Sequence, residues 1–139
     1  MTIFPLYCDA CGDEIEKVED GWVEWTYDRG PMGREGYGLR LVHHARCNYQ
    51  GRAVGDDHLR TFLGVDGMVR LFAIRESYNL PFAEVELMIM RLNVPGYDIA
   101  SAYVKQMVSA GEFEEYRNPR YLSTGDARAV SAWAKENCY

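Results

Sequence analysis

Hydrophobic and polar residues alternate along two short segments in the first third of the chain. In residues 21–27 the apolar side consists of Val23, Trp25 and Tyr27, and the polar side consists of Glu24 and Thr26. In residues 37–43 one face carries Tyr37, Leu39 and Leu41. A period of two predicts a half-buried strand in each segment. The intervening residues 28–36 contain three glycines and a proline, so the two strands are predicted to form a hairpin.

From about residue 56 the hydrophobic period changes to 3.6, which predicts helices. The first is short, capped by Asp56 and ended by Gly64, and the second is capped by Asp66. The third opens at Leu80-Pro81, and the fourth covers about residues 97–110, with Gly111 as its stop signal. Ser123 and Asp126 form a capping-box start for the last helix. A small hairpin is predicted around Asn118-Pro119.

The segment 48–57 is polar and contains glycine, which is typical of a linker. We therefore predict an α+β protein with two units: a hairpin-containing unit over residues 1–50 and a small helical bundle over residues 56–139. At 139 residues and 47% hydrophobic content, the chain is long and apolar enough to fold.

Charge and hydropathy narrow the class of protein. The net charge of −6 disfavours non-specific binding to nucleic acid, which depends on neutralising phosphates. Residues 1–5 lack the basic start and apolar run of a signal peptide, and no apolar stretch reaches the ~18 residues of a membrane span. We therefore expect a cytoplasmic protein with no membrane partner, in which cysteines stay reduced.

The candidate chemistry lies at two cysteine-containing turns. The first knuckle, Cys8–Gly12, has a C-x2-C spacing, and the second knuckle, His43–Cys47, offers a histidine and a cysteine. Cys8, Cys11, Cys47 and one histidine make a Cys3His set, which suits tetrahedral zinc. His44 is preferred to His43, because H-x2-C then mirrors C-x2-C. Four protein ligands leave no open position, so the zinc is expected to be structural.

Three alternatives remain open at this site. His43 in place of His44 gives an H-x3-C spacing. The C-x2-C pair can instead be a redox dithiol, although an acidic turn follows Cys11 where such a pair wants a helix. Iron can occupy a similar thiolate set. Cys138 is left over, and we expect it to be a free or buried thiol on the last helix.

The order of knuckle, hairpin and second knuckle resembles that of zinc-ribbon and treble-clef zinc fingers. The resemblance covers about the first third of the chain and rests on Cys8, Cys11, His44 and Cys47 with the strands between them. It implies a zinc-bound β-hairpin. The interval between the two knuckles is longer than in compact members of these families.

The later part of the chain has a second resemblance. Two amphipathic helices flank Asn93-Val94-Pro95-Gly96, and such a pair resembles a helix-turn-helix. With a hairpin near Asn118 it would resemble a winged helix, and the fourth helix would enter the DNA major groove. This reading assigns base contacts to Ser101, Lys105, Gln106 and Ser109, and phosphate contacts to Arg117 and Arg120. Plain packing of a helical bundle explains the same pattern.

These features predict a small, non-enzymatic zinc protein that regulates by binding DNA or the transcription machinery. The alternative is a protein-interaction module, either an adapter or an inhibitor of a larger enzyme, of a kind that mobile elements often encode. No P-loop, G-x-S-x-G or H-E-x2-H motif is present, and we expect no small-molecule substrate. DNA binding requires arginines to converge on one face, whereas an interaction module requires an exposed apolar patch.

Overall fold

The structure is a computed structural model that describes residues 3–50, 53–114 and 118–139. Two short strands pair near the N-terminus, β1 (Leu6–Tyr7) and β2 (Glu14–Ile15). A three-stranded sheet follows, made of β3 (Gly21–Gly30), β4 (Gly33–His43) and β5 (Val54–His58). The four helices of the described residues are α1 (Gly64–Tyr78), α2 (Phe82–Asn93), α3 (Tyr97–Ser109) and α4 (Thr124–Asn137). The fold is therefore α+β, as predicted.

The central sheet is antiparallel, with β3 in the middle between β4 and β5. The predicted hairpin is confirmed, but its strands extend through most of the expected loop, and only Pro31 and Met32 lie between them. A bulge interrupts the β3–β4 register between Glu24 and Thr26. Both of these polar residues are buried, which the alternating pattern did not predict.

Strand β5 lies in the segment that was expected to be a linker. Its polar residues and glycines are typical of a linker, yet residues 54–58 pair with β3. Gly55 permits the strand to pair here, because a Cβ at this position would lie 2.2 Å from Cε2 of Trp25. The short helix predicted after Asp56 is a 3-10 turn at Leu59–Phe62.

The longer helices agree with the pattern of apolar residues. Helix α1 begins at Gly64, before the predicted cap Asp66, and Leu63 is its N-cap. Gly67 is required there, because a Cβ would lie 2.0 Å from the backbone carbon of Phe62. Helix α4 has the predicted capping box, in which Ser123 and Asp126 each bond the other's backbone N–H.

Buried residues form two clusters. The first includes Leu6, Trp25, Phe62, Leu71 and Leu92, so the sheet, both knuckles, α1 and α2 share one core. The second contains Tyr97, Val104, Phe113, Leu122 and Val130, from α3, α4 and the chain between them. The first core thus contains residues from before and after the predicted boundary at 51–55, and the second core begins after residues 93–96.

The surroundings of α3 differ from the winged-helix expectation. This helix packs chiefly against α4, and contacts α2 less. The described residues 112–114 and 118–122 contain no strand, so no wing hairpin is present in them. Arg117, predicted to touch phosphate, lies outside the described residues.

Candidate metal centre

Three cysteines and one histidine converge where the two knuckles meet. The ligand atoms of Cys8, Cys11, His43 and Cys47 all lie within 4.8 Å of one another. Nδ1 of His43 is 3.4 Å from the sulfur of Cys11 and 3.9 Å from that of Cys47. A tetrahedral ion with thiolate and imidazole ligands separates them by about 3.5–3.8 Å, given metal–ligand bonds of about 2.0–2.3 Å. The four side chains therefore suit a single metal ion, and the cysteines form no disulfide.

The orientation of the His43 ring is fixed by a hydrogen bond on its far side. Nε2 is 3.0 Å from the backbone oxygen of Glu14. A carbonyl oxygen only accepts, so Nε2 carries the proton and donates it. In the neutral ring the lone pair then lies on Nδ1, which faces the thiols. Metal-binding histidines are held in this way by a partner beyond the ligands, which selects the tautomer.

His44, the histidine preferred from the spacing, is placed elsewhere. Its ring stacks on Trp22 at a centroid distance of 4.1 Å and lies 5.9 Å from the ring of His58. The alternative with His43, which the sequence left open, is the one that brings an imidazole to the cysteines. The prediction of His44 is therefore wrong. It assumed that H-x2-C repeats the geometry of C-x2-C, but the backbone of the second knuckle does not follow that of the first.

The first knuckle is a tight turn around the sulfur of Cys8. Gly12 donates its backbone N–H to the carbonyl of Cys8 at 2.9 Å, and Ala10 points its N–H at the Cys8 sulfur at 3.4 Å. Gly12 has a φ of 81°, which glycine adopts without strain. Cys8 is buried whereas Cys11 is exposed, so the first knuckle places one candidate ligand in the core and one at the surface.

The second knuckle closes through the backbone of its end residues. Cys47 donates its N–H to the carbonyl of His43 at 3.2 Å. Ala45 adopts a φ of 64°, a left-handed conformation that costs a residue with a side chain of order 1 kcal/mol. Asn48 supports this conformation by accepting the Ala45 N–H. The second knuckle therefore depends on a neighbouring side chain where the first depends on a glycine.

A buried arginine holds the first knuckle in place from the helices. Arg91 on α2 is 2.7 Å from Asp9 and 2.8 Å from Asp98 on α3, and it also donates to the carbonyl of Tyr7 at 2.9 Å. Asp98 in turn accepts the backbone N–H of Tyr7 at 3.0 Å. Burial alone would lower the pKa of Arg91, but the hydrogen bonds and charges of Asp98 and Asp9 outweigh it and raise the pKa. The guanidinium therefore stays charged.

A buried glutamate holds the second knuckle from within the sheet. Glu24 is fully buried and pairs with Arg40 at 2.8 Å across the β3–β4 ladder. The same carboxylate accepts from the side chain of Asn48 at 2.8 Å and from the backbone of Tyr49 at 3.0 Å. Arg40 also donates to the carbonyl of Cys47 at 3.0 Å. This network explains why a charged residue occupies the centre of the sheet.

The thiols differ in their readiness to ionise. The pKa of Cys11 is lowered to about 7, first by a hydrogen bond from the backbone of Asp13 and further by neighbours that include Arg46. Arg46 lies 3.8 Å from the Cys11 sulfur. Burial raises the pKa of Cys47. Because metals bind the thiolate, the lowered pKa brings Cys11 closer to its metal-binding form than Cys47.

The described residues that were predicted to contact nucleic acid lie away from the candidate metal site. Ser101, Lys105 and Gln106 are exposed on α3. Arg120 is not free, since it lies 3.5 Å from Glu86 and also donates to the carbonyl of Ala83. Cys138 is exposed and donates to Gln106 at 3.2 Å, so it lies apart from the metal ligands.

Sequence reasoning missed the residues that support the ligands, namely Asp9, Glu24, Arg40, Arg91 and Asp98. Arg91 and Asp9 are 82 residues apart, and nothing in the local pattern links them. Glu24 carried a weak signal, as a lone acid between Val23 and Trp25 in an aromatic strand.

Comparison of the chain with protein-family models, curated proteins and solved structures finds no match. Within residues 3–50, 53–114 and 118–139, none of the helices combines the length and apolar character that crossing a membrane requires.

Proposed function

We propose that Cys8, Cys11, His43 and Cys47 bind one zinc ion that stabilises the fold. The observation that supports this is the closed set of four protein ligands, which leaves no position for water or substrate. A structural zinc can contribute on the order of 10 kcal/mol of binding free energy to folding. Joining the two knuckles would link β1 and β2 to the end of β4.

Elemental analysis with native mass spectrometry tests the metal. We expect one zinc per chain, and thermal unfolding at a lower temperature after chelation. If one iron per chain is found instead, the identity of the ion in the proposal is wrong but the metal site itself is supported. A folded protein with no metal, unable to take up zinc, would contradict the proposal.

We further propose that the protein is non-enzymatic and acts by binding another protein. An exposed apolar stripe on α1 supports this. Val65, Val69 and Phe72 are 77%, 62% and 47% exposed, and their spacing of four and three residues places them on one side of the helix. Contiguous exposed apolar residues with polar neighbours are typical of a protein-binding surface. Here the polar neighbours include Asp66 and Glu76.

Charge supports a protein partner over DNA. Arg70 lies 3.7 Å from Asp57, Arg120 lies 3.5 Å from Glu86, and the net charge is −6. Cations paired with carboxylates attract phosphate weakly. DNA binding through Ser101 and Lys105 of α3 remains the competing proposal.

Affinity capture separates these proposals. The protein is immobilised, and captured proteins are compared between the wild type, Val69→Glu and Met32→Glu. Met32 is the control, because it is 96% exposed and apolar but lies in the β3–β4 turn. We expect Val69→Glu alone to lose a specific partner, and capture to persist in high salt. Retention of duplex DNA that Lys105→Ala and added salt both weaken would favour DNA instead.

A further inference from the structure

A groove of about 470 Å³ lies between the first knuckle and α3, and the candidate metal ligand Cys8 forms part of its wall. Its volume is within the range of about 300–1,000 Å³ typical of ligand sites. Charged and aromatic side chains line it together, among them Asp9, Arg91, Asp98, Tyr7, Tyr103 and Tyr139. Leu87, 39% exposed, adds an apolar surface.

The charged residues of the groove leave a net negative charge. Asp9 and Asp98 contribute two negative charges, and Arg91, bonded to both, contributes one positive charge. A cation is the complementary ligand.

The tyrosines provide the other half of a cation site. The rings of Tyr103 and Tyr139 lie 5.9 Å apart at an angle of 49°. Both residues line the groove, and a cation over the face of a tyrosine ring is attracted by it. Arginine in particular combines a planar charged group, which stacks on rings, with donors that carboxylates accept.

We propose that this groove binds a basic side chain, an arginine or a lysine, of a partner protein. The inference rests on the proposed interaction function and names the chemistry of the partner. The guanidinium or ammonium lies against Tyr103 and Tyr139, with the carboxylate of Asp9 in front of it, and its aliphatic stem covers Leu87. Asp9 is available because its side chain is 35% exposed despite the contact with Arg91.

The test uses the zinc-loaded full chain and two small probes that differ in charge. N-acetyl-arginine amide carries the cation, and N-acetyl-citrulline amide has the same shape without it. We expect the arginine probe at about 10 mM, roughly tenfold above a millimolar dissociation constant, to shift the NMR signals of the Tyr103 and Tyr139 rings. Citrulline should leave them in place. Equal shifts with both probes, or none with arginine, would overturn the proposal.

A matched pair of variants locates the binding. Ser101 is exposed and lines the groove, whereas Ser109 is exposed on the same helix outside it. Ser101→Lys should weaken arginine binding about fivefold, since a like charge at close range costs about 1 kcal/mol even in water. Ser109→Lys should leave it unchanged. An equal effect of both substitutions would indicate general charge attraction and contradict the groove.

Failure here is distinguishable from failure of the interaction function. The probe experiment uses the isolated protein, and the capture experiment depends on α1. If the protein captures its partner through Val69 but does not bind the arginine probe, only the groove proposal is contradicted, and the proposed interaction function stands.

Discussion

The two knuckles supply two ligands each, yet different parts of the chain hold them. The first knuckle is held by Arg91 and Asp98, which belong to α2 and α3, and Asp9 also exchanges two hydrogen bonds with Leu41 of β4. The second is held by Glu24 and Arg40, which face each other within the sheet. The candidate metal site therefore joins a turn that the helices and β4 support to a turn that is supported within the sheet. We expect disturbance of the first to reach the second core, and disturbance of the second to stay in the sheet.

Removing a metal ligand should have the largest effect on metal content and stability. The loss should be similar whether the ligand belongs to the first or to the second knuckle. Cys8→Ser and Cys47→Ser are both expected to lose the metal and several kcal/mol of the free energy of unfolding, since structural zinc supplies on the order of 10 kcal/mol. Metal content and denaturant unfolding measure this. Cys138→Ser is the control and should match the wild type. Full metal content in both ligand variants would exclude the site.

Arg91→Met should cause the second-largest loss of stability, and of the two knuckles it should disturb only the first. It leaves Asp98, only 9% exposed, without its cation, and breaking a buried pair costs about 3–5 kcal/mol. Because Arg91 also links α2 to α3, hydrogen exchange should accelerate in α3 as well as in residues 7–9. Protection of α3 equal to the wild type would mean that the arginine does not join the two cores.

Glu24→Gln is expected to lower the free energy of unfolding by about 3 kcal/mol, somewhat less than Arg91→Met. The reason is that its partner Arg40 is 20% exposed, so water can solvate the unpaired guanidinium. Hydrogen exchange should accelerate in β3, β4 and residues 47–49, with α3 unaffected. The contrast with Arg91→Met is the direct test of separate support. Identical exchange patterns in the two variants would show that the knuckles are held as one unit.

His44→Ala should give the smallest change, and His43→Ala, which removes a ligand, is its matched contrast. His44→Ala should keep the metal and cost about 1 kcal/mol, the worth of its stacking on Trp22. His43→Ala should lower metal affinity strongly, because it removes a ligand. Metal loss in His44→Ala with retention in His43→Ala would restore the assignment first suggested by the spacing.

Much of the local structure could be predicted from the sequence. The paired cysteines, the hairpin and the helices from Leu80 and Ser123 depend on spacing, period and caps between close neighbours. Strand β5 could not be predicted, because its pairing depends on Gly55 fitting over the indole of Trp25. The choice between His43 and His44 failed for a similar reason, since the carbonyl of Glu14 fixes the ring.

The sequence by itself determined which residue types can bind a metal and where the turns that carry them lie. Only the tertiary structure decided which histidine faces the cysteines, and that Glu24 and Arg91 support the turns. Ligand spacing within a turn is a local property, set by a few backbone angles. A buried charge, by contrast, is tolerated only where residues from distant segments pair with it and hydrogen-bond to it. The packing of the sheet against the helices determines which residues can do so.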